Sequence, residues 1–373
     1  MRVLELLVST ELGGGPAHVR DLATLLPSDE FQVTVAGPAG GPYAEIFSAL
    51  GGGFVDLPLD RLAPGMLRRL ERVVRERGID VIHSHGKGAG LYGRLAARRL
   101  GIPAVHTFHG IHYRGYPIGL RWGYLAMERW LAGRTAAIVH VSESQARGAE
   151  PLGLAPAGPT HVIPNGIDIA RLARLVSGSP ISRRALGVAD DAFVIGTVAR
   201  FDPVKGLDVL LEAFARVSHA LPRATLVLIG DGPEAGRLRA AAATLGVGAR
   251  VVWAGAVPDA ARALPAMDVY ASASRGEGLP LGLLEAMACG RPVVATSVSG
   301  HVDAVEEGAT GALVPAGDAA ALGDALLGLA RDETTARAWG EAGRRRASRL
   351  FSATRMVAEV AAVYRKVRAT AGV

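Results

Sequence analysis

The chain has 373 residues, 49% of them apolar, and carries 41 Lys plus Arg against 35 Asp plus Glu. That length predicts two domains, and so large an apolar fraction excludes a disordered chain. A single cysteine, Cys289, excludes an internal disulfide and reads as a small buried side chain. No apolar run reaches the roughly 18 residues of a membrane span, and no secretory leader is recognisable, so a cytoplasmic protein is expected.

In chain order, the strand Arg2–Val8 leads into Ser9-Thr-Glu-Leu-Gly-Gly-Gly-Pro-Ala-His18 and then a helical pattern. Glycines at such a turn let backbone amides approach a phosphate closely. The stretch lacks the Gly-Lys-Ser/Thr of a Walker loop and fits Gly-x-Gly-x-x-Gly poorly, so a plain turn is an equal reading. Further strands are expected at Phe31–Ala36, Phe54–Leu57, Ile79–His83, Pro103–Phe108, Ala137–Val141 and His161–Ile163, alternating with helical patterns. Arginines gather at 68, 69, 72, 75 and 77, and again at 94, 98 and 99. With a net charge of +6 they could meet an anionic membrane or nucleic acid, but Glu71 and Glu76 favour a solvated helix face for the first group.

His83, His85, His106, His109 and His112 crowd into a short stretch. Their spacing matches neither His-Glu-x-x-His nor a zinc ribbon, so no metal site is expected. His109 lies in the turn after an apolar strand and is the candidate site residue; His106 alternates onto a strand face. Residues 109–124 mix aromatic and basic side chains that suit sugar stacking, lipid headgroups or a packed connecting helix equally. Residues 165–180, with Gly178 and Pro180, read as the interdomain linker.

The second half repeats the alternation, with strands at Phe193–Val198, Ala224–Ile229, Arg250–Ala254, Met267–Ser272, Pro292–Thr296 and Gly311–Val314. Gly196-Thr-Val-Ala-Arg200-Phe-Asp-Pro-Val-Lys205-Gly206 places Arg200 and Lys205 on a strand-to-helix loop, where α/β proteins bind ligands. Only Lys87, Lys205 and Lys366 are lysines, which sets Lys205 apart. Arg offers a planar fork to phosphate oxygens and Lys a compact charge. Ile229-Gly230-Asp-Gly-Pro-Glu234 is another such turn. Most informative is Glu277-Gly-Leu-Pro-Leu-Gly-Leu-Leu-Glu285. It puts one carboxylate just before a helix that opens near Pro280 and another inside it. Unspent amides and the positive helix end between them suit an anion. Carboxylates accept hydrogen bonds from vicinal hydroxyls. A diphosphate flanked by two sugars matches the whole arrangement.

Together, Gly13–Gly15, Ile163-Pro-Asn-Gly-Ile-Asp168, the Arg200/Lys205 loop, Glu277–Glu285 and Ala286–Thr296 resemble the retaining GT-B glycosyltransferases of family 4 over essentially the whole chain. The chain departs from the family pattern at Ser299-Gly300 and Asp303, where two glycines and a Glu are usual. The resemblance implies an α/β fold of two Rossmann-like doubly wound domains facing a central cleft. The expected limits are 1–168 for an acceptor-side domain, 169–180 for a linker, 181–350 for a nucleotide-sugar domain, and 351–373 for a helix returning to the first domain.

The implied activity is transfer of a hexosyl or N-acetylhexosaminyl group, with retention, from a nucleoside diphosphate sugar to an acceptor hydroxyl. Arg200, Lys205, Glu277 and His109 are the expected catalytic residues. Gly14, Gly15, Gly230, Gly278, Leu279, Leu281 and Glu285 are the expected donor-binding residues, with Glu285 on the ribose and Glu277 on the donor sugar. Neither cofactor nor metal is expected, and a UDP-sugar is preferred over GDP-mannose. The acceptor could be a saccharide, a lipid-linked molecule or a small molecule, with a peripheral contact to the cytoplasmic membrane face. A sugar-nucleotide epimerase of the same fold is the alternative. A nucleic-acid-binding protein explains neither Glu277 and Glu285 nor the glycine loops.

Overall fold

The computed structural model describes residues 1–111 and 117–371. His112 and the 113–116 part of the aromatic-basic stretch lie outside the described residues. The chain divides into two compact units: Met1–Gly166 joined by the segment that starts at Ala353, and Ile167–Ser352.

The first unit is built on seven strands: β1 (Arg2–Leu7), β2 (Gln32–Gly37), β3 (Phe54–Asp56), β4 (Val81–His85), β5 (Ala104–Phe108), β6 (Ala137–His140) and β7 (Thr160–Val162). They pair in parallel in the order β3-β2-β1-β4-β5-β6-β7. The second unit has six: β8 (Phe193–Val198), β9 (Ala224–Ile229), β10 (Val251–Gly255), β11 (Val269–Ser272), β12 (Val293–Thr296) and β13 (Gly311–Val314). Their order is β10-β9-β8-β11-β12-β13, again parallel. Parallel strands need helical crossovers and are buried on both faces, which is why they read as continuous apolar runs rather than alternating ones. Both sheets are doubly wound, and each reverses its strand order once: between β1 and β4, and between β8 and β11. At such a reversal the following loops turn to opposite faces and leave a crevice at the carboxyl ends of the strands.

Alternation along the strands assigns the faces of the first sheet. Val3, Leu7, Val81 and Val105 belong to one core cluster, and Leu4, Leu6, Ile82 and Ala104 to the other. The helix Ala353–Ala371 contributes Met356, Val357, Val360, Val363, Tyr364 and Val367 to the first of these cores. The last stretch of sequence therefore completes the first unit. Residues 169–178, read from sequence as linker, form a helix, Ile169–Gly178, whose first turn is capped by the Asp168 carboxylate accepting from Arg171 N at 2.9 Å. The Gly and Pro that suggested a linker mark where this helix stops.

On the opposite face, the helix Lys87–Leu100 lies so close to the sheet that a Cβ on Gly93 would stand 2.7 Å from Leu6 Cδ1, and one on Gly90 2.7 Å from His106 Cε1. The same helix carries Arg94, which is fully buried and donates to Glu128 Oε2 at 2.7 Å and to the Gly90 carbonyl at 2.8 Å. Glu128, on the helix Ile118–Ala132, is equally buried. Such a pair contributes little net stability, because its attraction is offset by desolvation, but losing one member strands a charge. Glu128→Ala should therefore destabilise the chain by about 3–5 kcal/mol in denaturant unfolding. The double change Arg94→Met with Glu128→Leu should cost far less. Equal losses for the two would refute this account of the pair.

Candidate active site

The second unit gathers its expected site residues at the β8/β11 reversal. Arg200 lies two residues beyond β8 and is exposed; its guanidinium pairs with Asp202 at 2.6 Å. Lys205 closes the short turn Pro203–Lys205, and Gly206 follows with φ +60°. A Cβ at Gly206 would lie 2.1 Å from the Ala273 carbonyl oxygen, so only glycine lets the loop after β8 press against the loop after β11. Arg275 ties the two loops by donating to the Pro203 carbonyl at 2.7 Å and to Asp208 at 2.9 Å. The loop after β9 joins them through Phe201 N to the Asp231 carbonyl, 2.8 Å, and Glu234 N to the Phe201 carbonyl, 3.0 Å. Gly230, with φ +137°, sits where a Cβ would fall 1.9 Å from the Ala199 carbonyl oxygen.

This packing joins two predicted residues that the sequence assigned to different tasks. Lys205 Nζ donates to Glu277 Oε1 at 2.6 Å, and Ser274 Oγ donates to the same oxygen at 2.6 Å. Burial raises the Glu277 carboxyl, but the Lys205 ammonium and the two hydrogen bonds outweigh it and hold the group below its ordinary value. Glu277 is therefore an ion, positioned from two sides. Arg200 stands on the same loop as Lys205 but pairs with its own neighbour Asp202. Asp202 and Ser274 were not singled out from sequence, where an Asp and a Ser beside a Gly/Pro loop are unremarkable.

The helix beyond Glu277 runs Leu281–Ala288, with Pro280 at its N-cap and no side-chain cap. The expected first helical position, Pro280, is thus the residue before the helix. Its first-turn amides receive no side-chain bond at the cap, which leaves the positive end suited to an anion. Gly278 and Leu279, which precede the helix, are buried, and Leu281 and Glu285 lie within its first turns. Gly300, φ +78°, lies against them: a Cβ there would stand 2.3 Å from the Gly278 carbonyl oxygen. The single glycine of the Ser299-Gly300 departure is thus the one that this contact requires. Cys289, beyond the helix, has its thiol pushed up to about 12 by burial and by Glu285, as befits an inert side chain.

In the first unit, Gly14 and Gly15 begin the helix Gly14–Leu25 at the carboxyl end of β1, beside that sheet's reversal. Gly13 is the N-cap without a side-chain bond, and a Cβ on Gly15 would meet nothing within 4 Å, so the helix mouth is open to a ligand. His109 follows β5 directly and is partly exposed, whereas His106 is buried against Ser84 Oγ at 2.9 Å.

Beneath His109 lies a polar network that sequence reasoning did not assemble. Register pairs Glu5 with His83 across β1 and β4, and His85 with Thr107 across β4 and β5, so all four side chains share one sheet face. Glu5 is fully buried; Tyr364 OH donates to its Oε1 at 2.6 Å and His85 Nε2 lies 2.7 Å from its Oε2. His83 lies between Tyr364 OH, 2.6 Å from Nδ1, and Thr107 Oγ1, 2.7 Å from Nε2. His85 Nδ1 is 2.9 Å from His109 Nε2. His18 packs edge-on against His109 at 4.8 Å, with Nδ1 3.1 Å from Asn165 Oδ1. The available sequence signals were a carboxylate inside an apolar strand and histidines two apart on another. Nothing local tied them to Tyr364, distant in sequence.

Two groups in this network bring donor atoms within 4.8 Å of one another, as a metal would require: His18, His85 and His109, and Glu5, His83 and His85. Both nitrogens of His83 and of His85 are already engaged in hydrogen bonds, so the network accounts for the Glu5, His83 and His85 group on its own terms, whereas in the other group His18 Nε2 is buried without a hydrogen-bond partner among the described residues. Burial pushes His18 down to about 3 and His85 to about 4, with neighbouring rings adding to the effect, and lowers His109 strongly as well. Glu5 is lowered despite its burial by the histidines that bond it. Native histidines that stay neutral below the ordinary value of about 6.5 bind fewer protons than the unfolded chain there. Stability is therefore complete above about pH 6.5 and lost as pH falls towards 4, by about 1.4 kcal/mol per pH unit for each such ring, and Glu5 adds in the same direction at lower pH. The thermal midpoint should drop steadily from pH 7 to pH 5; a flat profile would contradict neutral burial.

Comparison with known proteins follows the same division of the chain. Residues 12–171 match the family described as Glycosyltransferase Family 4, and residues 192–332 the family described as Glycosyl transferases group 1. A D-inositol 3-phosphate glycosyltransferase of Jonesia denitrificans is 32% identical over 340 residues, covering 85% of this chain and 79% of that protein. A phosphatidyl-myo-inositol mannosyltransferase of Mycobacterium leprae is 30% identical over 374 residues, covering 96% and 94%. Among solved structures, HepE of Anabaena in complex with UDP-glucose superposes with a TM-score of 0.83 at 26% identity, over 97% of this chain and 99% of that one.

Proposed function

Since the chain belongs to the group 1, family 4 glycosyltransferases and has their GT-B architecture, we propose that it transfers a hexosyl or N-acetylhexosaminyl group, with retention, from a nucleoside diphosphate sugar to an acceptor hydroxyl. One observation carries this reading. The Lys205–Glu277 pair stands at the β8/β11 reversal, beside a helix mouth with no side-chain cap. An ammonium has three donors, so Lys205 can keep Glu277 and still reach a phosphate oxygen. Glu277, held ionised, accepts from hydroxyls of the donor sugar. Glu285, about one turn into the helix, takes the ribose hydroxyls.

The chemical obstacle is the departing diphosphate, which gains charge as the glycosidic C–O bond breaks. Cationic groups placed in advance stabilise that charge more than they stabilise the bound donor, and this lowers the barrier. Lys205 and Arg200 fill the role, with Gly230, Gly278, Leu279 and Leu281 shaping the backbone around the phosphates. The family resemblance assigns the amides of Gly14 and Gly15 to phosphate and the ring of His109 to the transferred sugar. The acceptor proton passes to the leaving phosphate on the same face of the sugar, as the family resemblance implies. Cations and amides neutralise the diphosphate, so no metal or other cofactor takes part.

A UDP-sugar is the favoured donor, supported by the HepE complex, and the mannosyltransferase relative keeps GDP-mannose as the second choice. The acceptor is a saccharide, a lipid-linked molecule or a small polyol, in keeping with the inositol named for both relatives. Ile118, Leu120 and Trp122 are strongly exposed on one helix, and Arg98 and Arg134 flank the Trp130 ring at 5.2 and 4.4 Å. This mixture favours peripheral contact with an anionic membrane from the cytoplasmic side. Among the described residues no helix is long and apolar enough to cross one.

UDP and UDP-glucose should raise the thermal midpoint, GDP less so, by the linkage of binding to native stability. Lys205→Ala should lower kcat by roughly 10²-fold or more with little change in KM, as expected of a group acting in the transition state. A change confined to KM would reject that role. Sugar transfer should survive exhaustive EDTA treatment; loss of activity restored by a divalent ion would overturn the metal-free mechanism.

A further inference from the structure

We propose that Glu5 and His85 are positioning residues that hold His109 as its Nε2–H tautomer, so that the Nδ1 lone pair is presented as a hydrogen-bond acceptor. The inference rests on the placement of His109 at the transferred sugar, and deepens it by stating what the ring can do there.

The proton directions follow from one buried carboxylate. Glu5 has ordered partners at both oxygens: Tyr364 OH, which can only donate to a carboxylate, at 2.6 Å from Oε1, and His85 Nε2 at 2.7 Å from Oε2, where His83 Nδ1 also lies at 3.3 Å. An ionised carboxylate accepts only, so the His85 proton is on Nε2. A neutral His85 then has its lone pair on Nδ1, and the atom 2.9 Å away, His109 Nε2, must supply the proton. A neutral His109 has one ring proton, and placing it on Nε2 leaves the lone pair on Nδ1. The other branch obeys the same rule. Tyr364 spends its proton on Glu5, so its oxygen accepts from His83 Nδ1 at 2.6 Å, and His83 Nε2 accepts from the Thr107 hydroxyl at 2.7 Å.

The surroundings keep this arrangement from relaxing. Glu5, His18, His83, His85, Thr107 and Tyr364 are all buried, and His109 alone of the rings in the network is partly exposed. The His85 and His109 rings lie edge to edge, with 27° between their planes, as an in-plane N–H···N bond requires, and His18 meets His109 edge-on at 77°. Burial keeps His18 and His85 neutral at physiological pH, with values lowered to about 3 and about 4. The reverse order, with a cationic His85 donating at both nitrogens, is therefore disfavoured. The chain of bonds ends at an acceptor suited to the hydroxyl of a sugar; the opposite tautomer would present a donor.

Long-range proton–nitrogen NMR on the full chain labelled with ¹⁵N-histidine reads tautomers directly, with the His109 signals identified by their loss in His109→Gln. Wild type should show His109 and His85 as Nε2–H. In Glu5→Gln, Tyr364 still donates to the amide oxygen, which turns the amide NH₂ towards His85. Both tautomers should then invert, and kcat for UDP release from UDP-glucose should fall roughly tenfold or more with KM nearly unchanged. His85→Gln, whose amide offers a donor and an acceptor at a similar spacing, should keep His109 as Nε2–H and retain most activity. A wild-type His109 protonated on Nδ1, or one indifferent to Glu5→Gln, would overturn the proposal, and the wild-type result stands even if Glu5→Gln fails to fold. Absence of UDP-glucose turnover by wild type, with the tautomers as stated, would instead strike the donor assignment and leave the relay intact.

Discussion

Each unit of this protein is governed by the point where a parallel sheet reverses its strand order. Parallel strands send all their carboxyl ends to one edge, and the reversal sends neighbouring loops to opposite faces. In the second unit this constraint brings the loops after β8, β9 and β11 together without any of them being near another in sequence. Gly206, Gly230 and Gly300 then let backbones meet where a single Cβ would collide with a carbonyl oxygen. The chemistry of the site is built on these close approaches. Lys205 meets Glu277 because Gly206 lets one loop lie against the next.

Charge in that site is arranged in compensated pairs. Lys205 faces Glu277, Arg200 faces Asp202, and Arg275 faces Asp208. A cluster of uncompensated cations would attract a diphosphate strongly but repel itself before the ligand arrived. Pairing keeps each cation in place at low cost, and the spare donors of Lys and Arg remain available to phosphate oxygens. Glu277 holds Lys205 in place and stays ionised; under the proposed function it also receives hydroxyls.

The first unit shows the opposite treatment of polar groups. Its central strands carry Glu5, His83 and His85 into a sheet face that also holds Thr107 and the apolar Val3, Leu7, Val81 and Val105. Burying such groups is tolerable only when each is bonded, and one carboxylate orders the protons of the whole set. The helix Ala353–Ala371 is needed for this, since Tyr364 bridges Glu5 and His83 from it. The return of the C-terminal helix to the first unit thus supplies a polar keystone as well as apolar contacts.

The sequence alone determined the alternation of strands and helices, because parallel strands buried on both faces leave unmistakable apolar runs between glycine-rich turns. It also marked Arg200, Lys205, Glu277 and Glu285, since their residue types stand on short loops or a helix mouth whose chemistry is local. It could not reveal that Lys205 and Glu277 bond each other, nor that residues 169–178 are helical: the first depends on two loops meeting, and the second was hidden by the Gly and Pro that end the helix. The network of Glu5, His18, His83, His85, His109 and Tyr364 was decided by tertiary structure only. Its members lie on two strands, two helices and a turn, and strand register with helix docking, neither of which is written in local pattern, brings their donors and acceptors within bonding distance.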